Sequence, residues 1–210
     1  MNGVYARNLG KSFGGRKVLS CVTFSLDEGK ALGVLGPNAV GKTTLLKILA
    51  TILKPDEGDL ILFGQDALRN PERVRKEISY VPEFPSVVEE LTVMENLKFF
   101  ASLRRKKVKE DVLELLNLEP FLTVPVSKVS KGIKQRLSLA IALISEPRLL
   151  ILDEATSGLD VESTKVILDA LLKLKEKGVT IVITSHLKEE VERVCDETYV
   201  LYNGSREGKR

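Results

Sequence analysis

The sequence predicts an α/β fold: a mostly parallel sheet, antiparallel strands near the N-terminus and an inserted α-helical subdomain. Three observations predict it. Short apolar runs, ALGVLG at 31–36, LLILD at 149–153 and TIVITS at 180–185, read as buried parallel strands, each followed by a helical pattern. Between residues 83 and 129 the chain is helical in character, with no convincing strand. A glycine-bearing loop, GPNAVGKTT at 36–44, joins the first of those strands to the first strong helix.

In chain order, VLSCVTFSL at 18–26 is rich in β-branched and aromatic residues and reads as a strand. ALGVLG ends in glycine and runs into TTLLKILATIL at 43–53, whose apolar residues recur on a helical period before Lys54-Pro55. DLILFG at 59–64 and EISYVP at 77–82 read as further strands. After the helical stretch come helices at about 132–145, 161–176 and 187–195, and strands LLILD, TIVITS and ETYVLY at 197–202. This gives one domain, with 1–82 and 133–210 as the α/β core and 83–132 as the helical subdomain.

The 210 residues, 43% hydrophobic and 29% charged, suit a globular chain and argue against disorder. A net charge of +3 is too small to call for a nucleic-acid partner, and none is expected. Cys21 and Cys195 are too few and too far apart for a disulfide framework or zinc cluster; they read as buried thiols of a cytosolic protein. No apolar run reaches the roughly 18–20 residues that cross a bilayer, and the N-terminus lacks the apolar core of a signal peptide. The expected location is the cytoplasm.

Gly36-Pro37-Asn38-Ala39-Val40-Gly41-Lys42-Thr43 fits G-x-x-x-x-G-K-S/T, with a strand before it and a helix after it. The glycines let the backbone curl so that successive N–H groups face phosphate oxygens, and the helix adds its positive end. Lys42 is placed for the β- and γ-phosphates, Thr43 for Mg2+ and Thr44 as a further donor. A plain turn before a helix would match this pattern by chance in about 1% of such chains. LLILD followed by Glu154 is an apolar strand ending in two acids, where parallel sheets bind ligands. Asp153 is placed to hold Mg2+ through its water shell, and Glu154 to orient or deprotonate an attacking water. The cofactors expected are ATP and Mg2+.

These segments, with VSKGIKQR at 129–136 and TSGLD at 156–160, resemble the ATP-binding cassette family of ATPases over essentially the whole chain. VSKGI resembles the family signature, usually L-S-G-G-Q. LLILDEATSGLD resembles its second nucleotide motif followed by a dimer-contacting loop. The resemblance implies that His186 in TSH contacts the γ-phosphate, that Phe13 in KSFGG stacks on adenine, and that Glu83 is a Mg2+ ligand. It also implies that Ser130 and Gly132 act on the ATP of an opposite subunit, and it adds Asp160 to the nucleotide site. Two subunits, a homodimer by preference, then enclose two ATP molecules head to tail. A separate membrane permease, exporter-type by preference, supplies the path and holds the protein at the inner face of the membrane. The alternative is a soluble, non-transport ATPase of the same family.

The chain departs from the family pattern at four places. Glu83 stands where the family usually has Gln, Lys131 replaces the first signature glycine, Ile133 the signature Gln, and Ala155 a common Pro. Lys42, Asp153, Glu154 and His186 all remain, so hydrolysis is expected. A guanine-reading N-K-x-D is absent, which argues against a GTPase. The chain stops soon after its last predicted strand and reads as a minimal cassette without a regulatory extension.

Overall fold

The computed structural model describes residues 3–202 and 205–206. Two sheets share the core. The first is antiparallel, with β1 (Gly3–Phe13), β2 (Arg16–Asp27), β4 (Glu57–Leu62) and β5 (Gln65–Asp66) in the order β2-β1-β4-β5. The second contains β3 (Ala31–Leu35), β6 (Ile78–Val81), β7 (Leu149–Asp153), β8 (Thr180–Thr184), β9 (Glu197–Tyr202) and β10 (Ser205–Arg206). Its order is β10-β9-β3-β8-β7-β6, parallel except for β10. Strands β7 and β8 are buried at every position, as sheets covered on both faces require.

The helices are α1 (Lys42–Leu49), α2 (Pro71–Val74), α3 (Val93–Leu103), α4 (Glu110–Leu115), α5 (Lys131–Leu143), α6 (Val161–Glu176) and α7 (Lys188–Val194). One apolar cluster packs α1 between the two sheets, around Leu9, Leu45, Leu49, Leu60 and Ile151. A second lies on the other face of the parallel sheet, around Leu97, Leu137, Leu152 and Leu171, and continues into the helical segment.

Most predicted strands occur within a residue or two of their expected limits. Three strands were missed: the two-residue β5 and β10, and the long β1. The first strand, β1, carries register shifts against β2 between Ala6 and Ser12, so its apolar residues never settle into a clean alternation. Its buried side chains, Val4, Ala6 and Leu9, nonetheless lie in the core. Helix α1 is shorter than the 43–53 pattern, because Thr51 turns left-handed at φ 55° directly after its end. Helix α5 crosses the expected subdomain limit at 132–133 without a break.

The cysteines differ from expectation. Cys21 is exposed on the irregular part of β2, with φ 52°. Cys195 is half-buried, and burial pushes its thiol up to about 12. Among the described residues no helix is long and apolar enough to cross a membrane.

Candidate functional site

The site forms at the C-terminal ends of β3, β7 and β8, which stand side by side in the parallel sheet. The loop 36–41 leaves β3 and enters α1 through Gly41 at φ 110°, a backbone conformation that a side chain would strain. A Cβ there would also meet Leu19 at 2.9 Å, so the loop lies tight against β2. Lys42 is 6% exposed, and its ammonium donates to the carbonyls of Gly36 at 2.8 Å and Pro37 at 3.3 Å. The same ammonium stands 3.3 Å from Glu154 Oε1.

Asp153 ends β7 and is 3% exposed. Each of its carboxylate oxygens accepts a hydroxyl from a neighbouring strand: Thr184 of β8 at 2.9 Å on Oδ1, and Tyr80 of β6 at 3.0 Å on Oδ2. The two bonds fix the plane of the carboxylate. Burial first, then the charge and hydrogen bond of Asp153, and last the charge of Glu83, push the Tyr80 phenol well above its usual range. Tyr80 therefore stays a donor across ordinary pH.

Glu154 follows in the left-handed region at φ 48°, and its amide donates to Thr184 Oγ1 at 2.9 Å. The turn aims its side chain at Lys42 on one side and at His186 Nε2, which touches its Oε2, on the other. Residues held in such sparse conformations cluster at working sites. A cavity of about 330 Å3 is lined by Asn38, Ala39, Thr43, Thr44, Glu83, Glu154 and His186, with Lys42 and Gly41 at its base. A second cavity, about 550 Å3, opens on the far side of Glu154 and His186, towards α6 and α7.

The structure thus brings together Gly41, Lys42, Thr43, Thr44, Asn38, Ala39, Glu83, Asp153, Glu154 and His186. Thr43, Asp153 and Glu83 offer hard oxygen donors only, the kind Mg2+ selects. Asp153, already oriented by Tyr80 and Thr184, fits an acid that acts through a water shell.

Gly36, Pro37 and Val40 belong to the loop without lining this cavity, Asp153 is buried beside it, and four further predicted residues do not line it either. Phe13 lies at the end of β1 with 48% of its surface exposed and the Lys11 ammonium 5.5 Å from its ring centre. Its ring lies outside the phosphate-loop cavity. Asp160 is the N-cap of α6: its Oδ1 accepts from the Ser163 amide at 2.7 Å, and that hydrogen bond holds its carboxyl below the usual range. It caps a helix and does not face the cavity. Ser130 caps α5, accepting from the Ile133 amide at 3.3 Å while its own O–H remains able to donate outward. Gly132 lies where α5 meets α6, and a Cβ there would come within 2.1 Å of Ser163 Oγ. Its glycine is required by close packing in this chain.

Sequence reasoning missed Tyr80, Thr184, Thr156, Ser185 and Glu190. Thr156, Thr184 and Ser185 lie inside motifs whose other residues drew the attention, Tyr80 lies in a strand and Glu190 in a helix, and each role depends on which strands and loops are neighbours.

The ABC transporter family model matches residues 19–157. The Nod factor export ATP-binding protein I of Rhizobium sp. (strain N33) is 38% identical, over 93% of this chain and 66% of that protein. Its counterpart from Ralstonia nicotianae is 38% identical, over 94% of this chain and 64% of that protein. The chain therefore spans slightly less than two thirds of the length of these relatives. Among solved structures, an ATP-binding subunit of an ABC transporter superposes with a TM-score of 0.86 at 30% identity, covering 99% of this chain and 89% of that one. A nucleotide-free ATP-binding cassette from an ABC transporter gives 0.84 at 27% identity, covering 99% and 90%.

Proposed function

The chain belongs to the ABC transporter family of ATP-binding proteins, and from that premise we propose that it hydrolyses ATP to drive a separate membrane permease. The observation that carries the reading is the convergence of Lys42, Glu154 and His186 on one cavity, with Asp153 buried next to Glu154 and held by Tyr80 and Thr184.

In this reading the backbone amides of 38–44 and the Lys42 ammonium bind the phosphates of ATP. Thr43, Asp153 and Glu83 hold Mg2+, which supplies charge neutralisation for the transferred phosphoryl group. Glu154 orients the attacking water and takes up its proton. His186, in contact with Glu154, keeps that carboxylate facing the γ-phosphate position. Lys42 exchanges part of its present contact with Glu154 for phosphate, which frees the carboxylate for the water. Water attack forms a P–O bond to the γ-phosphorus, and the bond to the β-phosphate oxygen breaks to give ADP and phosphate.

A second subunit of the same kind contributes Ser130 and the N-terminus of α5 to this ATP, so that closure of the pair requires the γ-phosphate. A homodimer is the simplest pairing. The helical segment 83–132 receives the permease, at the inner face of the cell membrane. The names of the relatives, Nod factor export proteins, favour an exporter-type permease.

The test is Glu154→Gln, which preserves shape but removes the water-orienting carboxylate. Hydrolysis should fall by at least about 100-fold. The variant should sediment as a dimer in MgATP and as a monomer in MgADP. A variant that stays monomeric in saturating MgATP would falsify the paired-site reading.

A further inference from the structure

Glu190 takes no part in the chemistry above, yet it is a carboxylate only 7% exposed. It sits in the first turn of α7, where the helix dipole favours a negative charge. Its Oε2 accepts two hydroxyls at once, Thr156 Oγ1 at 2.6 Å and Ser185 Oγ at 2.5 Å. Thr156 lies two residues after Glu154, and Ser185 immediately precedes His186. Ser185 Oγ also accepts from the Leu187 amide at 3.0 Å, which closes the loop around His186 on itself. Val191 and Val194 are fully buried, so α7 holds Glu190 against the body of the protein. A buried carboxylate oxygen that loses its donors is left unsatisfied away from water, so the network resists movement of either hydroxyl.

We infer that Glu190 is a positioning residue that bolts the loop carrying Glu154 to the loop carrying His186. It sets the alignment of these two groups at the phosphate cavity and leaves nucleotide affinity untouched. The inference rests on the ATP-hydrolysis reading for its catalytic consequence, but the bolt itself is a property of the nucleotide-free chain. Its strength lies in geometry: one oxygen spans two loops that leave adjacent strands β7 and β8.

The experiment pairs steady-state ATP hydrolysis with hydrogen exchange of the amides at 155–160 and 185–188 in the nucleotide-free protein. Glu190→Ala should lower kcat about 10- to 100-fold and leave KM within about 3-fold, since misalignment costs rate more than binding. Exchange should rise in both loops and not across the rest of the sheet. Glu190→Gln, with one acceptor oxygen kept, should fall between. Thr156→Val should reproduce the loss and Thr156→Ser should restore the rate. The double variant Glu190→Ala/Thr156→Val should be no slower than Glu190→Ala, because the two groups act as a unit.

A well-folded Glu190→Ala with unchanged kcat would overturn the inference. So would equal losses in Thr156→Val and Thr156→Ser, or faster exchange spread over the whole core. Should Glu190→Ala fail to fold, the Thr156 pair decides. If the unaltered protein hydrolyses no ATP, the functional reading fails; raised exchange in both loops of Glu190→Ala would still support the bolt, and unchanged exchange would sink it.

Discussion

The phosphate-loop cluster and the signature edge are built on opposite plans. In the first, side chains from the start of α1, from β6, β7 and β8 and from the loops after β7 and β8 turn inward: Lys42 meets Glu154, Glu154 meets His186, and Asp153 is held between Tyr80 and Thr184. In the second, the polar groups hold the chain's own backbone. Ser130 caps α5, Asp160 caps α6, and the Lys131 ammonium donates to the Ser157 carbonyl at 2.7 Å. The inward cluster is preassembled for chemistry within one molecule. The signature edge is an exposed surface on which Ser130, while capping α5, keeps a hydroxyl donor to spare. Lys131 strengthens the contrast: it ties the signature to the loop 156–160 within one subunit, so the two move as one rim.

Among the contacts that set the two regions apart, the largest effect should come from loosening Asp153. Tyr80→Phe combined with Thr184→Val removes both hydroxyls that orient it and also the partner of the Glu154 amide. Loss of such supporting hydrogen bonds costs about 10- to 100-fold in activity or metal affinity. The expected result is a fall in kcat together with a higher Mg2+ requirement, read by titrating Mg2+ at saturating ATP. A rate within 2-fold of the unaltered protein, as an order-of-magnitude bound, would mean that Asp153 needs no such support.

A smaller effect should follow from Ser130→Ala at the other region. The cap on α5 is lost at about 1 kcal/mol, measurable by urea unfolding. Hydrolysis should drop about 10-fold through the missing hydroxyl, while binding of a fluorescent ATP analogue to the monomer stays the same. If monomer affinity falls as well, the two regions are one site and the contrast breaks.

Legibility in the sequence follows the same division. The phosphate loop and the acids ending β7 were readable because their function depends on residues a few positions apart, with a strand on one side and a helix on the other. Tyr80 and Thr184 were not, since only the strand order β6-β7-β8 brings them to Asp153. Glu190 was hidden because a buried acid in the first turn of a short helix has the same sequence signature as a solvated one. Asp160 also has a structural role that the motif did not announce: an acid just before a helix is an N-cap, and here it caps α6. Phe13 lies at the end of β1, the strand whose bulges concealed it.

The smallest effect expected is also the most specific to this chain. Glu83 lines the same cavity as Lys42 and Thr43, and its charge is felt by Tyr80, so it belongs electrically to the inward cluster. A carboxylate is a stronger Mg2+ ligand than an amide oxygen, but it adds negative charge beside the γ-phosphate position. In Glu83→Gln the charge goes and an oxygen donor stays. Hydrolysis should persist, with half-maximal rate requiring about 2- to 10-fold more Mg2+, within the range such ligand changes produce. The sign is what matters: if Glu83 served only as a hinge into the helical segment, the Mg2+ profile would not move and only the coupling to a partner would. A profile that shifts to lower Mg2+ would mean that charge repulsion outweighs ligation, and would place Glu83 as a brake on nucleotide binding in the cavity that Lys42 and Glu154 now share.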